Sequence, residues 1–331
     1  STSQHSGEMN TWSVILFLNV VSSLLLMRTI FILFFTEAED YVLDSGCVYL
    51  NAFDDDNGDL CSNSTAYDFI IIVMSAARNT NRRRAIRQSW GNNTYYLQSA
   101  LNTKILFVLG TDDIEDRALQ RAIYGEIVEH QDILAVRVSE SYSNLVFKHM
   151  FAIHYLTTYC SQAAMVMKTD DDVYVDADTV HHLYSVHYYE SGPFWCHVLS
   201  GAPVRGAHNT LFIGNASNNT YPKYCMGSFY VAKMASLQAM SDVMQCYPYS
   251  WIDDVHITGS LRRVAGVPIA PLTNKSQLVI LKDIPHQVFS EWAMNSKMRM
   301  VYHHNVSPSM MTTLWKIYQG RVHKHFVPPI D

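Results

Sequence analysis

The chain has 331 residues, 48% of them hydrophobic and 16% charged, with a formal net charge of −6. That length holds one large domain or two small ones and can bury a sizeable core. The acidic balance excludes the basic profile of a nucleic-acid binder. The six cysteines (Cys47, Cys61, Cys160, Cys196, Cys225 and Cys246) contain no Cys-x-x-Cys pair, so the common zinc frameworks are excluded as well.

In chain order, the first element is an apolar run. Thr11 to Thr36 reads TWSVILFLNVVSSLLLMRTIFILFFT, long enough for the roughly 20 apolar residues that cross a bilayer. Arg28 interrupts it in the half away from the N-terminus, where its side chain can snorkel to the interface. A cleaved signal peptide with Val14 to Met27 as its core is the alternative, but no clear small-x-small cleavage site follows. The expected division is a cytoplasmic tail over 1–11, a transmembrane signal anchor over 12–36, a stem over 37–65 and a lumenal domain over 66–331. The stem is rich in Asp, Asn, Ser and Gly and poor in apolar periodicity. Residues 1–11 carry no Lys or Arg, so orientation rests on signals further along. These are six Asn-x-Ser/Thr triplets, at Asn63, Asn92, Asn215, Asn218, Asn274 and Asn305, and the widely spaced cysteines, which fit disulfides in an oxidising compartment.

From Tyr67 onward, apolar strands alternate with amphipathic helices. YDFIIIVMSA (67–76) reads as a buried strand and leads into a basic helix ending at Trp90-Gly91. KILFVLG (104–110) is a second strand, a helical stretch lies near 113–126, and ILAVRV (133–138) is a third strand. Leu145, Met150, Ile153 and Leu156 mark another helix, AMVMKT (164–169) a fourth strand, and Ser307-Pro308 the cap and first position of a late helix. The alternation predicts an α/β domain with a mostly parallel central sheet.

The chemistry concentrates in MKTDDDVYVD (167–176). Asp170, Asp171 and Asp172 close a buried strand, and ligands of open α/β sheets bind at that end. Two residues apart on extended chain, Asp170 and Asp172 point the same way. Three anions together call for a cation, and a hard divalent ion with oxygen ligands fits them. A solvated acidic turn is the plain alternative. Asp54-Asp55-Asp56 serves as an internal control: no buried strand precedes that triplet, and it reads as stem.

Seven blocks in order then resemble the β-1,3-galactosyltransferase and β-1,3-N-acetylglucosaminyltransferase family of animal Golgi enzymes, from about Tyr67 to Gly320. They are RRRAIRQSWG (82–91), FVLG (107–110), SYSNLVFKHM (141–150), KTDDDVYV (168–175), YPKYCMGSFYV (221–231), IDDVHITG (252–259) and HHNVSPSMMTTLW (303–315). The resemblance implies a GT-A-like, Rossmann-type nucleotide-sugar transferase domain, preceded here by the transmembrane helix. It implies an inverting, metal-dependent transfer of galactose or an N-acetylhexosamine from a UDP-sugar to a glycan acceptor, forming a β-1,3 linkage. It also implies a single-pass type II protein of the Golgi membrane, with its catalytic domain lumenal.

Asp170, Asp172 and His304 would hold Mn2+, with His303 competing with His304. Arg83, Arg84, Arg87, Lys148, Asp170, Asp171 and Gly227 would form the donor site. Asp254 would be the base, with Asp253 as runner-up; both would otherwise cap the helix that follows. Tyr224, Tyr230 and Trp251 are candidates for stacking on sugar rings, or are simply core. Three departures bear on donor and acceptor choice. Gly227-Ser228-Phe229 stand where the family often has a Gly run, in a loop by the sugar and the acceptor. Asp253 stands for the usual Glu, and the segment to Gly259 is one residue longer than the commonest form. A binding protein without activity, lectin-like or chaperone-like, is the alternative on the same fold. A Cys160–Cys225 disulfide is expected to tie the metal strand to the sugar-site block.

Overall fold

The computed structural model describes residues 60–61, 66–92, 101–112, 114–187, 194–201, 220–248, 250–272, 278–281, 292, 294, 299–302 and 305–326. The anchor and nearly all of the stem fall outside them, as do Asp54-Asp55-Asp56, His303 and His304. No helix among the described residues is long and apolar enough to cross a membrane.

The sheet begins with β1 (Phe69–Met74), all six residues of which are buried. Its side chains alternate between two cores. Ile70, Ile72 and Met74 join one, and Phe69, Ile71 and Val73 join the other, as the two-residue period of a strand requires. A strand covered on both faces has no polar side, which is why FIIIVM is a continuous apolar run. Around it lie β2 (Thr103–Asp112), β3 (Ile133–Ser139), β4 (Met165–Asp170), β6 (Phe194–Leu199), β7 (Tyr224–Lys233) and β8 (Ile269–Pro271), in the order β3-β2-β1-β4-β7-β6-β8. Four of the six pairings are parallel. The two that involve β7 are antiparallel. A smaller sheet pairs β5 (Tyr174–Val175), β10 (Arg299–Tyr302) and β9 (Leu278–Leu281).

Helices α3 (Leu145–Tyr159) and α5 (Met234–Met244) cover one face through Val146, Phe147, Met150, Leu237 and Met240. Helices α1 (Thr80–Arg87), α4 (Ala177–His187) and α6 (Pro308–Phe326) cover the other through Ala85, Ile86, Val180, Leu183, Met311 and Leu314. Helix α2 (Arg117–His130) flanks the β2–β3 edge. The predicted mostly parallel α/β domain is therefore what forms.

The helix expected near 113–126 begins four residues later. Asp116 is its N-cap, its Oδ1 accepting from the N–H groups of Ala118 and Leu119, so the residues before it belong to the strand end and the loop. The expected Cys160–Cys225 bridge is wrong. Cys160 pairs with Cys61 and Cys225 with Cys196. The reason is strand adjacency: β6 lies beside β7 in the sheet, which brings Cys196 to Cys225. Cys160 sits at the far end of α3, where the N-terminal residues Leu60 and Cys61 pack into the same core.

Candidate functional site

The three aspartates end β4 and turn different ways. Asp171 faces inward. Its carboxylate accepts from Ser75 Oγ (2.7 Å), Asn79 Nδ2 (2.8 Å) and Arg82 Nη1 (2.9 Å). It therefore ties the end of β4 to the loop after β1 and to the first turn of α1. Asp170 and Asp172 flank it, their side chains 33% and 31% exposed. Asp170 accepts from Lys168 Nζ at 2.6 Å, and Arg82 Nη1 lies 3.5 Å from Asp172. Burial pushes the Asp172 carboxyl above its ordinary range, and the charge of Asp170 pushes the same way against the pull of Arg82. Negative charge at this strand end is thus under-compensated by the described side chains.

The arginines of α1 divide similarly. Arg83 is fully buried and its guanidinium is saturated. It meets both oxygens of Glu126 (2.8 and 2.7 Å), Ser75 Oγ, the carbonyls of Ala76 and Ala77, and Thr80 Oγ1. Arg87 grips Asp132 through two nitrogens and Glu126 through a third, and its guanidinium lies over the Phe107 ring. Arg84 is exposed and reaches Asn81. The arginine at the carboxylates is Arg82, which the sequence reading passed over.

Beside this cluster opens a cavity of about 1070 Å³. Its walls are the segments that follow β1, β2 and β3, with Asn79, Asp112, Glu140, Tyr142 and Lys148 among them. All three segments lie at carboxyl ends of parallel strands, the position of ligand sites in open α/β sheets. Lys148 projects from α3 to this rim, where its Nζ donates to the Ser75 carbonyl (3.0 Å) and to the Glu140 carboxylate (2.8 and 3.1 Å). Glu140 Oε1 also accepts from the Gly110 N–H at 2.6 Å.

The second carboxylate pair opens a helix. Asp254 caps the π-helical segment Val255–Leu261, its Oδ1 accepting from the Val255 N–H at 2.9 Å. It is half-buried, and burial together with the charge of Asp253 raises its pKa to about 6. Asp253 is buried and bonded to His149 Nδ1 at 2.9 Å. Burial would push Asp253 up, but His149, Lys168 and His256 outweigh it and hold the carboxyl below its ordinary range. Lys168 connects the two carboxylate groups. Its Nζ donates to Asp170 and to the Gly227 carbonyl, and the charges of Asp253 and Asp254 also act on it. Gly227 leaves room for Asp254: a Cβ there would lie 3.3 Å from Asp254 Cβ and 3.5 Å from its Oδ2. At the rim, Tyr142 (74% exposed) meets Trp251 (38% exposed) edge to face, ring centroids 5.9 Å apart. Burial, and then the charges of Asp254 and Asp253, raise the Tyr142 hydroxyl's pKa.

The structure thus brings Asp170, Asp172, Gly227, Asp253 and Asp254 to one side of the sheet through Lys168, with Lys148 at the adjoining cavity. It gives Arg83, Arg87 and Asp171 internal partners and leaves Arg84 apart. Tyr224 and Tyr230 are buried, whereas Trp251 is exposed beside the site. Among the described residues, no three His, Cys, Asp or Glu side chains converge as a metal cluster. The sequence reading missed Arg82, His149, Lys168 and Glu140. Lys168 stood inside the quoted metal block and gave a signal; His149 gave none, because its partner lies 104 residues away in sequence.

The family model described as Galactosyltransferase matches residues 81–273, more than half of the chain. Among curated relatives, rat lactosylceramide 1,3-N-acetyl-beta-D-glucosaminyltransferase is 30% identical over 208 residues, 60% of this chain and 55% of that protein. Mouse beta-1,3-galactosyltransferase 1 is 24% identical over 264 residues, 77% of this chain and 74% of that protein. The match to the rat relative thus spans little more than half of its length. Of solved structures, the inositol-1-phosphate CTP transferase from T. maritima aligns over 80% of this chain at 7% identity with a TM-score of 0.37, too slight a likeness to argue from. The seven sequence blocks, the mostly parallel sheet that gathers them and the matched family model agree: the chain belongs to the galactosyltransferase family of β-1,3-glycosyltransferases.

Proposed function

We propose that this protein is an inverting, metal-dependent hexosyltransferase of GT-A-like architecture. It moves galactose or an N-acetylhexosamine from a UDP-sugar to a hydroxyl of a glycan acceptor on a glycoprotein or glycolipid, forming a β-1,3 linkage. The names of its relatives support the linkage and the two donor classes. The disulfides and the apolar N-terminal run support a lumenal catalytic domain on a single-pass type II protein of the Golgi membrane.

One observation carries the reading. A half-buried carboxylate of raised basicity, Asp254, stands across Lys168 from the partly exposed pair Asp170 and Asp172. Glycosyl transfer needs both. One side takes a proton from the attacking hydroxyl, and the other would hold the cation that neutralises the departing diphosphate. With one base toward the acceptor, a single displacement inverts the anomeric carbon; a retaining hydrolase would instead need two carboxyl groups flanking the bond.

Asp170 and Asp172 are hard oxygen ligands whose mutual repulsion fits a divalent cation such as Mn2+, and His304 is the proposed third ligand. When bound, the ion supplies Lewis-acid stabilisation of negative charge on the diphosphate. The chain's own residues do the rest. Asp171 and Arg82 fix the loop after β1, Lys148 and the surrounding cavity receive the nucleotide, and Gly227 keeps space open against Asp254.

The test separates binding from chemistry. Asp254→Asn should bind UDP with Mn2+ as the parent does, while UDP release from the cognate UDP-sugar falls by on the order of 10²–10⁴. Asp172→Ala should lose nucleotide and metal binding together. A binding protein without activity would hold UDP-Mn2+ and release none from any UDP-sugar. Full turnover of the parent in excess chelator would refute the metal role.

A further inference from the structure

Helix α3 is apolar along most of its length, yet His149 is buried within it. Both ring nitrogens are taken. Nδ1 meets Asp253 Oδ1 at 2.9 Å and Nε2 meets the Tyr230 hydroxyl at 2.8 Å. The imidazole also stacks on the Tyr230 ring, planes 13° apart and centroids 5.7 Å apart. Burying three polar groups in an apolar helix face is costly unless each is satisfied, and here each satisfies the next. An ionised carboxylate can only accept, so the proton on Nδ1 is fixed, and Nε2 is left for the tyrosine hydroxyl.

We propose that His149 is the positioning residue of this centre: clamped between Tyr230 and Asp253, it keeps Asp253 an oriented carboxylate and so leaves Asp254 as the group that takes the acceptor's proton. The inference rests on the reading of Asp254 as the base and adds what sets that base. Two adjacent carboxylates compete for the role. Asp253 is withdrawn from it because its oxygen is committed to an imidazole inside the core. Asp254 keeps its open face, and its affinity for a proton rises because Asp253 stays charged. The groups facing Asp253 are His149 from α3, Lys168 from β4, Tyr230 from β7, Tyr142 from the loop before α3, and Asp254 and His256 from its own segment. His149 is the one among them seen hydrogen-bonded to the Asp253 carboxylate.

The experiment is a pH profile of UDP release by the full chain, with UDP-galactose and UDP-N-acetylglucosamine as donors over a panel of glycan acceptors, and UDP-Mn2+ binding measured in parallel. His149→Leu should lower kcat by about 10–100-fold, as loss of an orienting partner does, with UDP binding unchanged. Its acid limb should move to lower pH, because an unpartnered, buried Asp253 takes up a proton and no longer repels charge on Asp254. Asp253→Asn should move the limb the same way. The double variant should shift no further than Asp253→Asn alone, because His149 acts through Asp253.

Should His149→Leu fold poorly, His149→Asn and His149→Gln make the same comparison. Asn places its amide near the Nδ1 position and should restore the parental limb, while Gln places it toward Tyr230 and should not. An acid limb that stays put in His149→Leu and Asp253→Asn, or losses that simply add in the double variant, would overturn the proposal. If Asp254→Asn keeps near-parental turnover, it is the assignment of the base that fails, and that outcome is read independently of the His149 variants.

Discussion

Asp253 and Asp254 are chemically identical neighbours that the fold sends to different fates, and the charged partners each one meets decide which. Asp253 is enclosed with His149 and Lys168 and held below the ordinary carboxyl range, whereas Asp254 is half open and raised to about 6. A base must be deprotonated to act, so turnover should fall as pH drops through about 6 and level off above it. A pH profile of kcat/KM reads that limb directly, and Asp254→Glu should keep a limb whereas Asp254→Asn should have none to keep. Gly227 sets the space for the same group. Gly227→Ala would place a methyl 3.3 Å from Asp254 Cβ, tighter than ordinary contact, and should cut turnover with little change in melting temperature. At this scale much was readable beforehand. The Asp-Asp-Asp and Asp-Asp motifs announce themselves because their residues are contiguous. His149, Arg82 and Glu140 do not, since each acquires its meaning from a partner 104, 89 or 8 residues away that only packing supplies.

Among the elements, α1 shows how one helix serves two purposes with adjacent arginines. Arg83 and Arg87 turn toward Glu126 on α2 and Asp132 before β3, locking the helix onto its neighbours. Arg82, one residue earlier, turns to Asp171 and to Asn305 Oδ1. Arg83→Met should therefore destabilise the protein by about 1–3 kcal/mol, since it leaves buried Glu126 with Arg87 as its remaining cationic partner. Arg82→Met should leave the melting temperature nearly in place and weaken UDP-Mn2+ binding. Thermal melts and calorimetric titration of the two variants separate these outcomes. The basic run 82–87 was legible as a helix, but which of its faces meets solvent was not, because the acidic partners lie on other elements. The strands were legible for the opposite reason: a run such as FIIIVM carries its burial in its own composition. The strand β7, antiparallel to both β4 and β6, left no comparable mark, and the Cys196–Cys225 bridge followed its placement.

Across the whole molecule, a buried charge helps to fasten helix α6 beside its apolar packing. Asp176 Oδ2 accepts from Trp292 Nε1 (2.8 Å) and from Arg321 Nη1 (3.0 Å), and the Arg321 guanidinium lies over the Trp292 ring. Burial raises the Asp176 carboxyl from 3.8 to about 6 despite Arg321. A folded-state value above the unfolded one means the folded protein holds the proton longer. The stability this group contributes is full below 3.8 and is lost as pH rises through about 6. The melting temperature of the parent should therefore fall relative to Asp176→Asn across that window, as calorimetric scans at stepped pH would show. Asp176→Ala should be severe at every pH above it, about 3–5 kcal/mol, because the buried Arg321 guanidinium loses its carboxylate partner. Reduction should act on a different axis. The Cys61–Cys160 and Cys196–Cys225 bridges close sequence separations of 99 and 29 residues, and each typically contributes about 2–4 kcal/mol. A reductant should lower the melting temperature at all pH values alike.

The segment after Asp254, Val255–Leu261, is wider than an ordinary helical turn. It winds as a π-helix, with the Arg262 N–H reaching back to the Ile257 carbonyl five residues earlier. A wider turn of this kind holds one residue more than an α-helix over the same rise. At its two ends the geometry is unforgiving: Asp254 sits against Gly227, and a Cβ on Gly259 would come within 3.2 Å of Tyr224 and Pro222. Between such close contacts the additional residue of the wider turn is taken up sideways, so the segment widens without displacing Asp254 from Gly227 or Gly259 from Tyr224.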